Sequence, residues 1–551
     1  MIDLRAAADA LRESRATDAW LASWLPDSYA DPAGFADAAR AALGARRGAA
    51  FKGRPAEGCD LYHEYIGAHL GTRRRAFVGR EGGGWASLTY DVLHARSNAL
   101  GAAWAAEGVQ AGEVLAIVLP PGAEFAVCWL TALRLGLVPA FVPPLGPGFV
   151  RTTLARVAPD RIATSLRYGA ALGPALPTSA GARTSEPFGS FRYPPGDAAA
   201  RLVTPFGPDA PIAVDVPAEV LLEGSVRDAA FVYGLGPSDV LAAPGFDPLQ
   251  HGPSLLMATL VAGATYAEVS PAEFDAEPGL LEGLHVSVLG LRRRSRDTLL
   301  ARGGLPAGVR TWFRSLTDTI DPDAWDAFWR AQPEPKRPGF GVVSNAASGG
   351  AGLFSPPSRQ PPTLRVWPAP GLTWALEAIA AEGLASLDDA GTFRIMRGKD
   401  ADPSFVAAVI GRLGDGYVYA GSLDLGPDAQ RYPCADVEAA LAQHPGVRHV
   451  AAFAAPGRRL NEAKMVLLAF VDPAETNPPP SPAALAAAIV ADLGEPLRPD
   501  RIEVFALRPR MLKGQVDRAW CRAQYLGGSL SRKARLRPFA LLGQLGYLFA
   551  D

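Results

Sequence analysis

Read as apolar and polar positions, the stretch from Leu88 to Pro144 changes period several times. LTYDVLHARSNALGAAWAAEGV sets its apolar residues at helical spacing and ends at Gly108, which predicts a helix closed by a glycine. The turn QAGE leads into VLAIVLP, a continuous apolar run of the length of a buried strand. EFAVCWLTALRLG returns to helical spacing, and LVPAFVPP is a second short apolar run. Strand, helix, strand in this order predicts a βαβ unit of a parallel sheet. Related alternation resumes in DVLAAPG, SLLMATLVAG, TYAEV and VSVLGL, so the middle of the chain is predicted to be α/β.

Other stretches differ. Residues 1–58 read as an Ala-rich helical leader, broken at Pro26 and Pro32 and packed on the main body. The Pro-rich interval from Gly173 to Pro217 is expected to be a low-order separator. From Phe354 to Gly421, short runs such as LRVWPAPG, TWALEAI and GTFRIM predict a small β subdomain. After Asp424 the pattern restarts as a compact α+β unit, with DVEAALAQH helical, HVAAFAA and MVLLAFV as strands, and PAALAAAIVADLG helical.

Length and composition narrow the class. A chain of 551 residues exceeds one compact core and predicts at least two domains. With 48% apolar and 20% charged residues the profile is globular rather than disordered. A formal net charge of −2 argues against a global attraction to nucleic acid or anionic membrane. Cys59, Cys128, Cys434 and Cys521 lie far apart with no metal-ligand spacing, and they read as buried free thiols of a reducing compartment. The N-terminus lacks the apolar core of a signal peptide, and no apolar run approaches the roughly 20 residues of a membrane span. A cytoplasmic protein is the expectation.

Several segments together resemble the acyl-adenylate-forming superfamily of acyl- and aryl-CoA ligases, luciferases and peptide-synthetase adenylation domains. LTYDVLHARSNALGAAWAAEGVQAGEVLAIVLPPGAEF is similar to the family's LTYxEL…GVxxGDxVAixLPNxxEF stretch. DVLAAPGFDPLQHGPSLLMATLVAGATY resembles its DxxLxxxPLxH…LxxGAT segment, with Pro248, Leu249 and His251 in register. WPAPGLTWALE, GDGYVYAGSLD and YPCADVEAALAQHPGVRHVAAFAAPG resemble later family motifs in the same order. The resemblance runs from about Leu61 to Arg522. It implies a large N-terminal domain (59–423) of two α/β subdomains plus a small distorted β-barrel. A small α+β C-terminal lid (424–530) would follow, swinging about a hinge, and residues 531–551 form a basic and apolar tail.

The family reaction makes an acyl-AMP from a carboxylate and ATP, after which a thiol displaces AMP. Its parts are altered here. The Gly/Ser/Thr-rich phosphate loop ending in Lys-Gly is expected just before the helix containing Leu221. From Asp209 to Leu222 the chain has no Gly, Ser, Thr, Lys or Arg, and carries Asp209, Asp215 and Glu219. Such a segment reads as a plain connecting strand, not as an anion cradle. At the Tyr-Gly-x-Thr-Glu turn the chain reads SNAASGGAG, with Ser348 at the Thr position and Gly349 at that of the magnesium-holding Glu. Val409 stands at the ribose-binding Asp; nearby Asp415 reads as a turn former. Gln515 replaces the C-terminal catalytic Lys, while Gly514 and Asp517 keep register and Lys513 lies two residues earlier, open to rescue from a flexible loop. The hinge reads Gly421, Ser422, Leu423, Asp424, with Asp424 in the hinge position.

His251 falls in the segment that lines the family's acyl pocket, so structural and site readings both stand; Ser348 and Gly349 are the other substrate-side candidates. Gly263 is expected to serve close packing, and Glu438 to stabilise a helix start through the dipole. No metal site is expected, and ATP with magnesium is not the expected cofactor; a CoA or carrier-protein thioester is. The reading is therefore an adenylation-defective family member. It serves as an acyl- or thioester-binding partner of a carrier protein or pathway enzyme, or as an ATP-independent acyl transferase from CoA to carrier. Lys513 and His251 are the catalytic candidates. The alternative is a divergent, active acyl- or aryl-CoA ligase. The tail, with four basic residues ahead of its apolar run, either folds back on the protein or touches a membrane or partner.

Overall fold

The computed structural model describes residues 3–53, 57–81, 84–165, 172–180, 189–204, 212–246, 248–277, 279–318, 320–345, 349–378, 388–395, 406–413, 416–421, 434–457, 463–472 and 478–530. The chain divides into two units. One comprises Met1–Pro143, Val157–Val203 and Ala213–Ser422; the other comprises Pro144–Arg156, Thr204–Ile212 and Leu423–Asp551.

In the first unit the βαβ pattern forms as its periodicity requires. Thr89 caps the helix Tyr90–Ala106 by accepting from the Val92 N–H, and the chain then turns at Gly108, φ +77°. The strand Val114–Val118 is buried at every position. The helix Ala123–Leu135 ends at left-handed Gly136, where a Cβ would stand 2.5 Å from the Phe191 ring. Val138–Phe141 and Arg161–Thr164 flank Val114–Val118 in a three-stranded parallel sheet.

A second, larger sheet has thirteen strands among the described residues. Its parallel centre runs Thr265–Ala267, Val240–Ala242, Val288–Leu291, Thr311–Ser315 and Gly339–Asn345. Beyond Gly339–Asn345 pairing becomes antiparallel, through Gly350–Phe354, Arg365–Pro368 and the strands between Trp374 and Gly421. The expected β subdomain is thus hydrogen-bonded directly onto the α/β sheet. Two parallel sheets with covering helices match the predicted pair of α/β subdomains.

The leader is helical, over Leu4–Arg12, Asp18–Ala22, Leu25–Ala30 and Pro32–Arg47. The interruptions fall just ahead of Pro26 and Pro32, as predicted. Both lie in a first turn, where an N–H is not needed. Arg12 with Asp239 at 2.7 Å, and Tyr29 Oη donating to the Pro368 carbonyl at 2.7 Å, fasten the leader to its unit. The Pro-rich interval contains more order than expected: Ala198–Thr204 and Ile212–Pro217 pair as a two-stranded sheet.

The second unit is the predicted α+β domain. Ala463–Phe470 pairs antiparallel with His449–Pro456 and parallel with Arg501–Phe505, and the helices Cys434–Ala442, Pro482–Leu493 and Arg518–Leu526 complete it. Arg156 is bound to Asp436 by two hydrogen bonds, 2.7 and 2.9 Å. The four cysteines are free and buried. No described helix is long and apolar enough to cross a membrane.

Candidate functional site

The helix Ala218–Arg227 continues into a π-helical turn, Asp228–Val232, an irregularity often found at functional sites. The turn brings the Asp228 carboxylate to the start of the strand Gly350–Phe354. There it accepts from the Ala351 N–H at 2.7 Å and from Arg227 Nε at 2.9 Å. Both side chains are almost wholly buried. Burial raises the Asp228 carboxyl pKa, with Arg227 opposing the rise. A Cβ on Gly350 would fall on the Asp228 carboxylate.

Gly349 is equally confined. Its φ of +66° is left-handed, and a Cβ there would stand 2.7 Å from the Val220 carbonyl oxygen of the helix. A larger residue meets both backbone strain and a backbone atom that cannot rotate away.

A second polar group lies on the preceding strand. His251, on the helix Pro248–Val261, is buried, and its Nδ1 stands 2.9 Å from Ser344 Oγ. The Tyr233 hydroxyl hydrogen-bonds the same serine side chain. The Phe246 ring meets the imidazole edge-on with centroids 4.8 Å apart. Burial, aided by Arg292, lowers the imidazole pKa to about 3, so the ring is neutral at neutral pH. Ser344 Oγ thus joins the Tyr233 hydroxyl and His251 Nδ1 in one buried hydrogen-bonded chain. The arrangement holds one neutral imidazole in one orientation.

The AMP-binding enzyme family matches residues 68–168 of the chain. A variant of o-succinylbenzoate CoA synthetase from Bacillus subtilis, bound to a product analogue, superimposes with a TM-score of 0.65 at 15% identity, covering 84% of this chain and 98% of its own. The amide bond synthetase from Marinactinospora thermotolerans gives 0.63 at 17%, covering 84% and 99%. The fatty acid AMP ligase from Legionella pneumophila gives 0.61 at 15%, covering 86% and 97%. The chain shares the fold of these enzymes, and its residues 68–168 match the AMP-binding enzyme family. No curated protein sequence matches it.

Within this fold the candidate residues separate. His251 and Gly349 both lie about the hairpin of Gly339–Asn345 and Gly350–Phe354, whereas Ser348, Asp415 and Asp424 fall outside the described residues. At Gly349, read in the sequence as the position of the metal-holding Glu, a side chain would meet the Val220 carbonyl oxygen. The expected phosphate segment holds the strand Ile212–Pro217, as its reading as a connecting strand required; 205–211 falls outside the described residues. Asp215 is held by Arg201 at 2.6 and 2.9 Å, and Glu219 accepts from the Gly196 N–H. Val409 lies within the strand Val406–Leu413, its backbone opposite Thr392 and Gly421.

Lys513 is not on a loose loop. Lys513 and Gly514, φ +48° and +84°, form the tight turn between Met511–Leu512 and Gln515–Val516, both central residues left-handed as such hairpins need. Gln515 begins the second strand and is exposed. Glu438 also differs from expectation. It is the fifth residue of Cys434–Ala442, too far in for the dipole, and instead accepts from Arg518 at 2.7 and 3.0 Å and from the Ala452 N–H at 2.7 Å. Gly263 serves close packing as predicted: at φ +71° its Cβ would stand 3.0 Å from the His69 ring. Arg227, Asp228, Tyr233 and Ser344 were not anticipated. The available signal was the adjacent charge pair in SVRDAAFVYG, two ionised residues inside an otherwise apolar helical run.

Proposed function

We propose that this AMP-binding superfamily member holds an acyl or aryl group and does not form acyl-adenylates from ATP. Closure of the turn at Gly349 carries the reading. The superfamily's metal-holding carboxylate would have to occupy space taken by the Val220 carbonyl, and the nearest carboxylate, Asp228, is already engaged by Arg227 and the Ala351 N–H. Gln515 and Val409 at two further nucleotide-handling positions support it. Loss of one preorganised electrostatic contact costs about 10²–10³ in rate, so several losses together leave little adenylation, even without strict additivity.

The activity that fits is ATP-independent thioester exchange, or thioester binding in support of a carrier protein or pathway enzyme. In exchange, an incoming thiol attacks the acyl carbonyl carbon and a new C–S bond forms. The C–S bond to the departing thiol breaks, and the proton of the incoming thiol ends on the departing sulfur. Only positioning and carbonyl polarisation are required. His251, held neutral by burial, is suited to hydrogen-bonding and orienting an acyl group and unsuited to supply a full positive charge.

ATP–pyrophosphate exchange across a panel of carboxylic acids tests this. Exchange stays at the no-enzyme background if the reading holds. Exchange above background overturns it in favour of a divergent acyl- or aryl-CoA ligase drawing on Lys513. A rise in melting temperature with acyl-CoA, absent with ATP and magnesium, adds support because a ligand of the native state alone stabilises it.

A further inference from the structure

His251 belongs to a closed circuit of side chains. Its Nδ1 stands 2.9 Å from Ser344 Oγ, and the Tyr233 hydroxyl bonds the same serine. The Tyr233 ring meets Phe313 at a centroid distance of 5.0 Å, Phe313 meets Phe246 at 5.3 Å, and Phe246 returns to the imidazole at 4.8 Å. Phe340, paired with Phe313 on the next strand, stacks on it at 5.4 Å. All of these side chains are buried. The circuit decides which part of the imidazole can meet a ligand. Nδ1 is spent on Ser344, so Nε2 is the ring nitrogen left for one.

The space behind the rings is filled. Gly290 lies opposite Phe313 on the adjacent strand, and a Cβ there would stand 2.9 Å from Phe313 Cζ and 2.7 Å from the Ala243 Cβ. Rings packed at this density yield to a flexible chain only by moving aside, which a close-packed interior resists. Phe246 has a different setting from Phe313 and Phe340. It follows Gly245, beyond the end of the strand Val240–Ala242, and so stands on a strand-end loop and not within the sheet. It is 8% exposed, against 0% for Phe313 and 2% for Phe340, which makes it the outermost of the three phenyl rings. The carboxyl ends of parallel strands are where open α/β sheets hold their ligands.

We infer that the thioester held at His251, on the reading proposed above, carries a flat aryl group of benzoyl size, and that Phe246 sets this limit. An aryl ring can meet Phe246 edge-to-face, as the imidazole does, and needs no depth beyond it. A straight alkyl chain has to run past Phe246 into Phe313, whose other contacts are the rings of Tyr233 and Phe340.

Calorimetric titration of the full chain with CoA, benzoyl-CoA and octanoyl-CoA tests this. Benzoyl-CoA is expected to bind at least about tenfold tighter than CoA, because its ring is buried against an aromatic wall, and octanoyl-CoA no tighter than CoA. In Phe246→Ala the lost ring leaves room for a chain, so octanoyl-CoA gains at least about tenfold while benzoyl-CoA loses its advantage. Octanoyl-CoA binding to the parent as tightly as benzoyl-CoA overturns the inference and leaves the thioester reading standing. If neither acyl-CoA binds the parent better than CoA, the thioester reading fails and the substrate class with it. Unchanged selectivity in folded Phe246→Ala removes Phe246 as the limit. Should that variant not fold, Phe246→Leu reads the same point: it keeps an apolar wall without an aromatic edge, so the preference for benzoyl-CoA over octanoyl-CoA narrows, and an unchanged preference sinks the assignment.

Discussion

Two turns at superfamily nucleotide positions have opposite physical characters. The turn ending at Gly349–Gly350 is buried against helix Ala218–Arg227, and its neighbouring carboxylate is spent on an internal ion pair. The turn at Lys513–Gly514 is exposed, and a Cβ on Gly514 meets nothing within 4 Å. On the proposed reading, the first stands where the superfamily holds a glutamate and has no space for one, and the second adjoins Gln515, which lies in open surroundings. A missing side chain whose space stays open is reversible by one substitution. One whose space has been repacked is not.

The sharpest way to break the contrast is to remove the ion pair. Asp228→Ala leaves the Arg227 guanidinium and the Ala351 N–H buried without their partner, and a loss of about 3–5 kcal/mol is expected in urea unfolding. A loss below about 1 kcal/mol means the first turn is not packed as described. Gly349→Glu is next, with an expected cost of about 2–4 kcal/mol from left-handed strain plus the close Val220 oxygen. That variant restores the missing carboxylate in name only. If it were as stable as the parent and gained pyrophosphate exchange, the space argument would fail.

Acid sharpens the comparison more gently. His251 is held neutral by burial and Arg292, and His69 by burial, Arg47 and Arg74, each with its pKa lowered to about 3. Both folded values lie below the ordinary histidine value of about 6.5. Their stabilising contribution is therefore complete above about pH 6.5 and is lost as pH falls toward 3, because the unfolded chain takes up protons first. The expected slope approaches about 1.4 kcal/mol per pH unit for each histidine. Denaturation at pH 7 and pH 5 measures it, and His251→Gln should remove that residue's own share, up to about 1.4 kcal/mol per pH unit. An unchanged slope would show that His251 is not held neutral.

Much of the architecture was legible because it follows period and length: the buried strand Val114–Val118, the glycine-ended helices and the C-terminal α+β unit each carry a local pattern. The leader's breaks at Pro26 and Pro32 were legible too, because Pro does not continue a helix yet is favoured in the first turn of the next one. At the site, the residue types at Gly349 and Gln515 are plain in the sequence, and the packing around them is not. That Asp228 turns inward depends on a π-helical turn one residue off the helical period, which sequence spacing does not encode. Ser344 meets His251 across 93 residues, a pairing that only the sheet topology creates. Glu438 was assigned to the helix dipole because its partner, Arg518, lies 80 residues away.

The smallest expected effect is the most discriminating. Gln515→Lys adds one charge at an exposed position on a two-residue strand, beside a turn whose left-handed angles it does not alter. Surface changes of this kind fall within about 0.5 kcal/mol of the parent. If the residue at position 515 alone limited adenylation, this variant alone would show pyrophosphate exchange above background. The closed first turn predicts that it does not, and that Lys513→Ala is equally silent in the parent. Exchange in Gln515→Lys would mean that nucleotide and metal reach the site without a carboxylate at 349, and the distinction between an open loss and a filled one would no longer explain this chain.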